Sequence, residues 1–569
     1  MRPWHLGNTT VRSPFRLREG LIALSTSPLQ GNLRGREQEI AFRDLLGAYG
    51  IVELAEDETY SVGRKWRSAL NKLGFLYPEV PAASGIAQND IGQKDTITPN
   101  GWRLIRAETV SAMQECFLRS LAAYCVPSVL EPTYDFGVFS PLRHTLRVML
   151  RLEEKTGTSK LAFMEMALVV QLTSADDALE QVVEKVLEFR ARREAAGDKR
   201  QFDRQAIDEA ANLHRYRPQT FNDYADTNFR YLKATGLVQS AGRGLILVPE
   251  KHAFIEKLVQ DPGIPESSRS YLTTLCNGAA LPTDNKDSAL SVLHDLINQL
   301  NQRGISFDIS GRPLDNAADV AVVRHEIEDL LAKQKEEQYA LRQRQEWEEI
   351  VAYMKLIMTH RKRTSLANGK DIEIPEGEAP AYFEWILWRA FLAINSLVNK
   401  PYEARRFKID QDFLPVSTSP GNGPDLIFEF PDFVLVVEAT LTDNSRQEAA
   451  EGEPVRRHIA KIVGNYPDKK VFGLFVANKV DTNTAETFRI GFWYREDDSR
   501  MSLQIVPITL EQFEALFEKG FSCGRLTPGT IYDFLRDCLS VSNYDAPEWK
   551  RRISEEVKNY VNRIIPDTH

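Results

Sequence analysis

The chain has 569 residues, of which 43 % are hydrophobic and 27 % charged, and its formal charge at pH 7 is −9. This length and composition predict a globular, multidomain protein with about three or four hydrophobic cores. The net negative charge argues against a general affinity for polyanions, and no apolar run approaches the roughly 20 residues of a membrane span.

The N-terminus and the cysteines narrow the class of protein further. The first residues do not begin a signal peptide, so we expect a cytoplasmic protein without a membrane partner. The five cysteines are scattered and form no Cys-x-x-Cys pair. They therefore indicate core thiols, and neither a disulfide framework nor a zinc site.

The N-terminal segment is the first candidate for contact with a phosphate backbone. Asn8, Thr9 and Thr10 carry short polar side chains, and Arg12 comes shortly before Pro14, which favours an extended backbone. Side chains of these types bind phosphate oxygens. We predict a phosphate-contacting arm here, and an ordinary surface loop is the alternative.

A basic helix is predicted between Gly63 and Gly74, where apolar residues recur at helical spacing and a glycine marks the end. The stretch from Leu76 to Thr98 is β-rich and predicts a small hairpin before another helix. This order is typical of a winged helix, which can lay a helix in a DNA groove. The candidate DNA-binding residues of this module are Arg64, Lys65, Arg67 and Lys72.

The same order of elements returns between Thr227 and Val248. A helix ends at Gly236, a polar glycine-containing turn follows, and the chain returns as a short strand. This indicates a second winged-helix-like module, although winged helices also serve as protein-contact domains. Its candidate DNA-binding residues are Arg230, Lys233 and Arg243.

A charged helical pattern runs from Ala317 to His360 and is followed by a polar segment with glycine and proline from Thr364 to Ala379. A long helix poor in large apolar residues commonly spaces one lobe from another. We predict the boundary between the two halves of the chain in this region.

The segment Tyr382 to Leu392 is apolar nearly all round, which predicts a buried helix. Glu384 is its one acid, and a buried carboxylate must be paired or bind a cation. An ion pair with Arg389 and membership of a ligand site are the two alternatives.

Two β-rich runs, Leu426 to Phe430 and Phe433 to Val437, flank a Pro-Asp pair and predict a hairpin. A symmetric loop places Asp425 opposite Glu438, with Cβ atoms about 5 Å apart. Carboxylates this close repel each other, so one takes a proton or a cation lies between them. Oxygen ligands suit Mg²⁺, and solvated carboxylates at the end of a hairpin are the alternative.

An acid-rich segment follows the hairpin. Glu451 and Glu453 precede Pro454, and acids before such a proline are typical of a helix start. The helix is predicted to end near Tyr466, and the buried strand from Val471 to Ala477 is expected to return parallel by a right-handed crossover. The order is helix, strand, strand, helix, strand.

Five stretches of this half carry a family resemblance, namely Phe383-Glu384-Trp385, Gly421-Asn422-Gly423-Pro424-Asp425, Val437-Glu438-Ala439-Thr440, Glu451-Gly452-Glu453-Pro454-Val455-Arg456-Arg457-His458 and Leu474-Phe475-Val476-Ala477. They resemble the AlwI family of type IIS restriction endonucleases, to which the nicking enzyme BstNBI is related. The hairpin also resembles the PD-(D/E)xK nuclease core, with Thr440 where lysine is usual. Weaker similarity lies in the two winged-helix-like stretches.

The resemblance implies a multidomain α+β protein with a mostly helical N-terminal half and a C-terminal α/β domain of the restriction-endonuclease type. We expect a first winged-helix-like DNA-recognition subdomain at 1–150 and a second at 151–300. A helical linker region would occupy 301–378, and the PD-(D/E)xK nuclease domain 379–569.

The function implied is that of a type IIS restriction endonuclease. Its N-terminal half would bind a short asymmetric double-stranded DNA site, and its C-terminal half would cut a few base pairs to one side with one or two Mg²⁺ ions. A transient homodimer through the nuclease domain would form during cleavage. The alternatives are a strand-specific nicking enzyme of the family, a structure-directed repair nuclease, and a winged-helix DNA-binding protein with an inactive nuclease fold.

The catalytic acids of the family fall on Glu384, Asp425, Glu438 and Glu451, with Glu453 as a rival for the last. Asp425, Glu438 and Glu451 would be the metal ligands.

The lysine of the motif is absent, and this leaves the general base open. Thr440 points to the same strand face as Glu438 and would position water without deprotonating it. His458 is the candidate substitute for the lysine, and a structural histidine is the alternative.

Overall fold

The chain folds into two compact units, Met1–Leu330 and Leu331–His569. A computed structural model describes residues 2–11, 13–52, 54, 57–443, 446–495 and 497–564. The division lies inside the helix Ala317–Arg342, within the predicted linker region. The finer division into four parts stays a prediction.

The first unit is mostly helical, as the helical spacing of its apolar residues indicates. In α2, for example, Phe42 and Leu46 lie four residues apart and are both buried. The helices are α1 (Arg16–Ser25), α2 (Arg36–Ala48), α3 (Val62–Lys72), α4 (Gln88–Ile91), α5 (Pro99–Arg106), α6 (Val110–Ala123), α7 (Pro141–Thr156), α8 (Phe163–Leu168), α9 (Leu179–Ala195), α10 (Lys199–His214), α11 (Pro218–Ala234), α12 (His252–Gln260), α13 (Ser268–Asn277) and α14 (Lys286–Gln302).

A small antiparallel sheet completes the first unit. Its strands β1 (Leu161–Ala162), β2 (Val238–Ser240) and β3 (Gly244–Leu247) are ordered β1-β3-β2. Gly244 lets β3 approach β1, because a Cβ there would lie 2.6 Å from the carbonyl oxygen of Leu161. The predicted helix, turn and strand of the second module are therefore confirmed.

The small hairpin predicted after α3 is wrong. Between Leu76 and Thr98 the described backbone makes one isolated bridge, Leu76 to Ile97, and contains the short helix α4. Pro78 and Pro81 each lack the N–H that a strand ladder requires. The β-rich composition of this stretch was therefore a misleading signal.

The second unit is a mixed α/β fold. Its helices are α15 (Ala317–Arg342), which crosses the division, α16 (Trp347–Met358), α17 (Ala379–Ile394), α18 (Pro401–Ala404), α19 (Glu453–Asn465), α20 (Thr482–Ile490), α21 (Leu510–Ser522), α22 (Pro528–Ser540) and α23 (Ala546–Ile564). Its strands are β4 (Arg363–Ser365), β5 (Asp371–Glu373), β6 (Lys408–Ile409), β7 (Pro415–Ser417), β8 (Leu426–Glu429), β9 (Phe433–Thr440), β10 (Lys470–Ala477), β11 (Phe492–Tyr494), β12 (Arg500–Ser502) and β13 (Ile505–Thr509).

The central sheet of this unit has the order β13-β10-β9-β8. The hairpin of β8 and β9 is antiparallel and pairs Leu426 with Val437 and Glu429 with Val434, which is the predicted register. Strand β10 pairs parallel to β9, as predicted, and β13 pairs parallel to β10. The predicted order of helix, two strands, helix and strand is confirmed by α17, β8, β9, α19 and β10.

Both faces of the central sheet are covered, because alternate residues of β9 enter two different cores. Leu435 and Val437 pack in the core that contains α17, whereas Val434 and Val436 pack in the core that contains α19. This explains why β9 reads as a continuous apolar run. Glu438 at the end of that run is consequently held in a largely buried position.

The polar linker predicted from Thr364 to Ala379 is wrong, because this segment forms the hairpin of β4 and β5 before α17 begins. Asn368-Gly369 makes the turn, and Gly369 has a φ of +80°. An Asn-Gly pair is a strong hairpin signal because its turn needs positive φ.

The helix α17 is fixed by Arg389, which is 1 % exposed. Its guanidinium donates to Gln343, at 2.6 Å, and forms ion pairs with Glu346 and Glu349 at 2.8 and 3.0 Å. These partners lie at the turn between α15 and α16 and in the first turn of α16. Arg389 therefore orients the helix that carries Glu384.

Two further predictions concern the class of protein. The prediction of core thiols is confirmed for four cysteines, because Cys116, Cys125, Cys276 and Cys538 are buried free thiols, whereas Cys523 is half-buried. Over the described ranges, no helix combines the length and the hydrophobicity that a bilayer crossing requires.

Candidate active site

The predicted acids come from separate elements of the second unit. Glu384 lies on α17, Asp425 comes immediately before β8, Glu438 lies near the end of β9, and Glu451 lies in the π-helical turn Glu448–Gly452 that precedes α19. We call these four side chains the acid cluster, because the negative charge of each one raises the pKa of at least one other member.

Asp425 and Glu438 lie at the open end of the hairpin, one step beyond the pair of Leu426 and Val437. The Asp425 Oδ2 atom accepts a hydrogen bond from the N–H of Ala439 at 2.9 Å. Burial, and next the charge of Glu438, raise the pKa of Asp425 well above its ordinary value. The structure therefore has the two carboxylates close together at the end of the hairpin, as predicted.

Glu438 is 6 % exposed and interacts electrostatically with the other acids. Burial comes first, and the charges of Glu451 and Glu384 add to it, so that the pKa of Glu438 is raised well above its ordinary value. The shared cause is that negative charges are crowded in a poorly solvated place.

Glu384 is 5 % exposed and does not pair with Arg389, which is occupied by other partners. Its Oε2 atom accepts the N–H of Ser419 at 2.8 Å. Burial, followed by the charge of Asp425, raises the pKa of Glu384 to about 8. Of the two alternatives for this residue, the structure shows membership of the acid cluster.

Glu451 and Glu453 are separated by their surroundings. Burial raises the pKa of Glu451, which accepts a hydrogen bond from the Thr440 side chain and interacts with Glu438. The Glu453 side chain is 54 % exposed and pairs with Arg457, one helical turn further on, at 3.0 Å. Glu451 therefore lies in the acid cluster, whereas Glu453 lies on the solvent face of α19.

His458 contacts the acid cluster directly. Its Nδ1 atom lies 2.8 Å from Oε1 of Glu438, and its buried Nε2 atom has no hydrogen-bond partner in the described structure. Burial, followed by the charge of Arg457, lowers the pKa of His458. A neutral ring that donates from Nδ1 would fix the orientation of the Glu438 carboxylate.

One basic side chain near the acids was absent from the sequence-based predictions. Arg406 comes from the segment between α18 and β6, and its charge lowers the pKa values of Glu384, Asp425 and Glu438 against the dominant effect of burial. No spacing rule connects Arg406 with the acid motif, because their proximity depends on how two loops pack.

The donor set suits a hard divalent cation, because buried carboxylates that repel one another are relieved by positive charge. Within the described ranges, however, no three His, Cys, Asp or Glu side chains are already arranged as metal ligands. Several of their oxygen atoms face protein donors instead, namely the N–H groups of Ala439 and Ser419, the ring of His458 and the Thr440 side chain. The chemistry of the residues therefore fits a cation, although these side chains are not yet disposed around one.

The predicted N-terminal arm packs against the first unit. The Trp4 indole donates to the Thr173 carbonyl and the Leu6 N–H donates to Asn228, both at 2.7 Å. Asn8, Thr9 and Thr10 follow this anchored segment and are half-buried. Arg12 lies outside the described residues, and phosphate contact by the arm stays a prediction.

The predicted DNA-binding cations fall into two groups. Arg64, Lys65 and Arg243 are exposed, and Lys233 on α11 is half-buried. The other cations are largely buried and form ion pairs, so that contact with DNA through them would require these pairs to open. The pairs are Arg67 with Glu39 at 2.9 Å, Lys72 with Glu131 at 3.0 Å and Arg230 with Asp226 at 2.7 Å.

Comparisons with known proteins place these observations in context. The model of the AlwI restriction endonuclease family matches residues 71–516, which is well over half of the chain and includes the acid cluster. No curated protein matches the chain. Among solved structures, the small subunit of the heterodimeric restriction endonuclease R.BspD6I is 20 % identical, with a TM-score of 0.29, over 38 % of this chain and 100 % of that one.

Proposed function

Because the chain belongs to the AlwI restriction endonuclease family, and is thus a type II site-specific deoxyribonuclease, we propose that it acts as a type IIS enzyme. It would bind a short asymmetric site in double-stranded DNA and hydrolyse phosphodiester bonds a few base pairs to one side. The observation that carries the proposal is the acid cluster at the open end of the β8–β9 hairpin. Charges crowded in this way are typical of a catalytic site.

The acid cluster would work with a divalent cation, for which Asp425, Glu438 and Glu451 are the proposed ligands. When bound, Mg²⁺ supplies positive charge for the phosphate oxygens and lowers the pKa of a coordinated water. His458 would hold the Glu438 carboxylate through Nδ1, and Thr440 would hold Glu451.

Proton transfer requires a group that gains and loses a proton near neutral pH. Since the pKa of Glu384 is raised to about 8, its carboxyl can accept or release a proton under these conditions. Thr440 stands where the motif has lysine, and its hydroxyl can orient a neighbour but does not act as a base at this pH. Glu384 interacts with Asp425 in the acid cluster and is not one of the proposed ion ligands, so it is our proposed proton-transferring residue.

Recognition is proposed for the first unit. There, α11 leads directly into the β2–β3 hairpin, and β1 pairs with β3. A helix followed by such a hairpin is the arrangement in which winged helices contact a DNA groove and the adjacent backbone. Exposed Arg243 lies at the hairpin turn, and exposed Arg64 and Lys65 lie on α3.

The proposal is tested by digesting DNA of known sequence with the full chain and Mg²⁺ and sequencing the ends of the products. We expect all cuts to lie at one fixed distance from a common asymmetric sequence. Cuts at junctions or mismatches, or DNA binding without any Mg²⁺-dependent cut, would contradict it.

The same digestion decides between cutting of one strand and of both. Each chain contributes one acid cluster, and one such cluster hydrolyses one strand at a time. A nicking enzyme would leave a single break beside each site at every protein concentration. A type IIS enzyme that pairs two chains during cleavage would convert nicks to double-strand breaks more efficiently as its concentration rises.

The double variant Arg64→Gln/Arg243→Gln is expected to weaken DNA binding and to lower its salt dependence. Each lost phosphate contact lowers the slope of log K against log salt by about 0.9. The measurement is a salt titration of affinity for the cut site, with Ca²⁺ in place of Mg²⁺.

The control is Arg551→Gln on α23, an exposed arginine paired with Glu548 and Glu555. It removes the same kind of charge from the second unit and is expected to leave the slope unchanged. If the double variant and this control gave equal slopes, the proposed contact surface would be wrong.

A further inference from the structure

Arg406 is held against the loop that precedes Asp425. Its Nη1 atom donates to the Pro424 carbonyl at 3.3 Å, and its Nη2 atom donates to the Asn422 side chain. Gly423 leaves the space that the guanidinium occupies, because a Cβ there would lie 2.2 Å from Nη1. The side chain is therefore fixed at the edge of the acid cluster by the loop that bears Asp425.

The positive charge of Arg406 acts on the cluster without being neutralised by it. This charge opposes the effect of burial on the pKa values of Glu384, Asp425 and Glu438. Within the described part of the chain, no carboxylate lies within ion-pair distance of it. The guanidinium thus keeps the capacity to bind a further anion.

Arg405, the residue before Arg406, has a structural role in this segment. Arg405 makes a two-pronged ion pair with Glu336, with both nitrogen–oxygen distances at 2.7 Å, and also donates to the Phe407 carbonyl. Its charge is matched within the fold. Among the described residues, Arg406, next in the chain, donates only to the neutral oxygen atoms of Pro424 and Asn422, and its charge acts on the acids.

The unmatched charge of Arg406 matters for binding a substrate phosphodiester. Its negative charge is repelled by the acid cluster, and Thr440 supplies none of the positive charge that a lysine at its position would bring. An arginine fork can donate two parallel hydrogen bonds to phosphate oxygens. Arg406 is a fixed side chain beside the cluster with this capacity.

We propose that Arg406 is a catalytic residue whose guanidinium binds a non-bridging oxygen of the phosphodiester being cut and holds it against the acid cluster. This inference rests on the proposed nuclease function. It assigns the positive charge of the absent lysine to a side chain from another part of the chain.

The test compares Arg406→Gln and Arg406→Lys with the unaltered protein in single-turnover cleavage of DNA that the unaltered protein cuts. We expect the glutamine variant to cleave about 10²- to 10³-fold more slowly, as when one donor to a developing oxyanion is removed. The lysine variant should recover at least about tenfold of this loss, because it restores the charge without the fork.

Two controls show whether a slower cleavage rate comes from the lost charge of Arg406 or from a general change in the protein. Affinity for the cut site should stay within about threefold in both variants, since recognition is assigned to the first unit. Arg551→Gln, which removes an exposed charge from α23 where Arg551 pairs with Glu548 and Glu555, should change the cleavage rate by less than about threefold. Thermal unfolding of all variants shows whether each is folded.

The outcomes distinguish this inference from the function on which it rests. An unaltered protein that cuts no DNA would contradict the nuclease function itself. Cleavage by Arg406→Gln at the unaltered rate would overturn only the role of Arg406. Equal losses in the glutamine and lysine variants would show that loop geometry matters and charge does not, and would overturn it as well.

Discussion

The variant Glu438→Gln is expected to cleave DNA more than about 10³-fold more slowly than the unaltered protein, while its affinity for the site changes little. Glu438 interacts with Glu384 and Glu451 and is oriented by His458. An amide in its place keeps the shape of the side chain but removes one charge from the proposed ion site. The expected loss corresponds to several kcal/mol of transition-state stabilisation.

The measurement is a single-turnover rate with saturating enzyme, together with affinity measured in Ca²⁺. Glu453→Gln is a matched control, because it makes the same acid-to-amide change at an exposed position two residues beyond Glu451. We expect the control to cleave at close to the unaltered rate. If the two variants lost activity equally, or if Glu438→Gln retained it, the acid cluster would not be the catalytic site.

The variant Glu384→Gln is expected to become more stable than the unaltered protein as pH rises, when no divalent cation is present. The pKa of Glu384 is raised from 4.5 to about 8, so the folded state binds more protons than the unfolded state between these values. Stability from such a group is complete below about pH 4.5 and is lost as pH rises through about 8. An amide has no proton to lose, and it avoids this cost.

The difference between the two proteins is expected to reach a few kcal/mol by pH 8 and to be small at pH 4.5. It is measured by urea unfolding at both pH values, and comparison of the two proteins cancels the titration of those groups that do not interact with Glu384. Mg²⁺ should stabilise the unaltered protein more at pH 8 than at pH 5, because the deprotonated acids bind it. A difference that stayed constant with pH would contradict the buried, proton-binding state of Glu384.

The hairpin and the central sheet were predictable because their signals are local. The two apolar runs around Pro431-Asp432 fix a symmetric register, and β9 and β10 are continuous apolar strands, typical of a sheet covered on both faces. The pairing of Asp425 with Glu438 followed from counting along the ladder. Such arguments need no knowledge of the rest of the fold.

Other features depend on contacts that sequence periodicity does not contain. Glu451 and Glu453 differ by only two positions, and the π-helical turn that separates their environments has no reliable sequence pattern. Arg406 reaches the acids because separate loops pack together. The hairpin at Asn368-Gly369 had a readable signal, but the polar composition around it was interpreted as a linker.

The two stretches predicted to be winged-helix-like show how local sequence signals and long-range contacts combine. The second was predicted correctly as a helix, a turn and a strand, since glycines at 236 and 242 supply the positive φ values that the turns need. Strand β1, which completes its sheet, comes from a distant part of the sequence. The first module failed as a hairpin because its prolines outweigh its β-rich composition.

The most direct test is a crystal structure of the full chain with site-containing DNA and Mn²⁺, in which anomalous scattering locates the ion. Mn²⁺ takes the same oxygen ligands as Mg²⁺. We predict an ion bound by Asp425 and Glu438 next to a phosphodiester of the DNA. An ion bound away from these carboxylates, or Asp425 and Glu438 both facing away from the DNA backbone, would contradict a shared metal-dependent cleavage site.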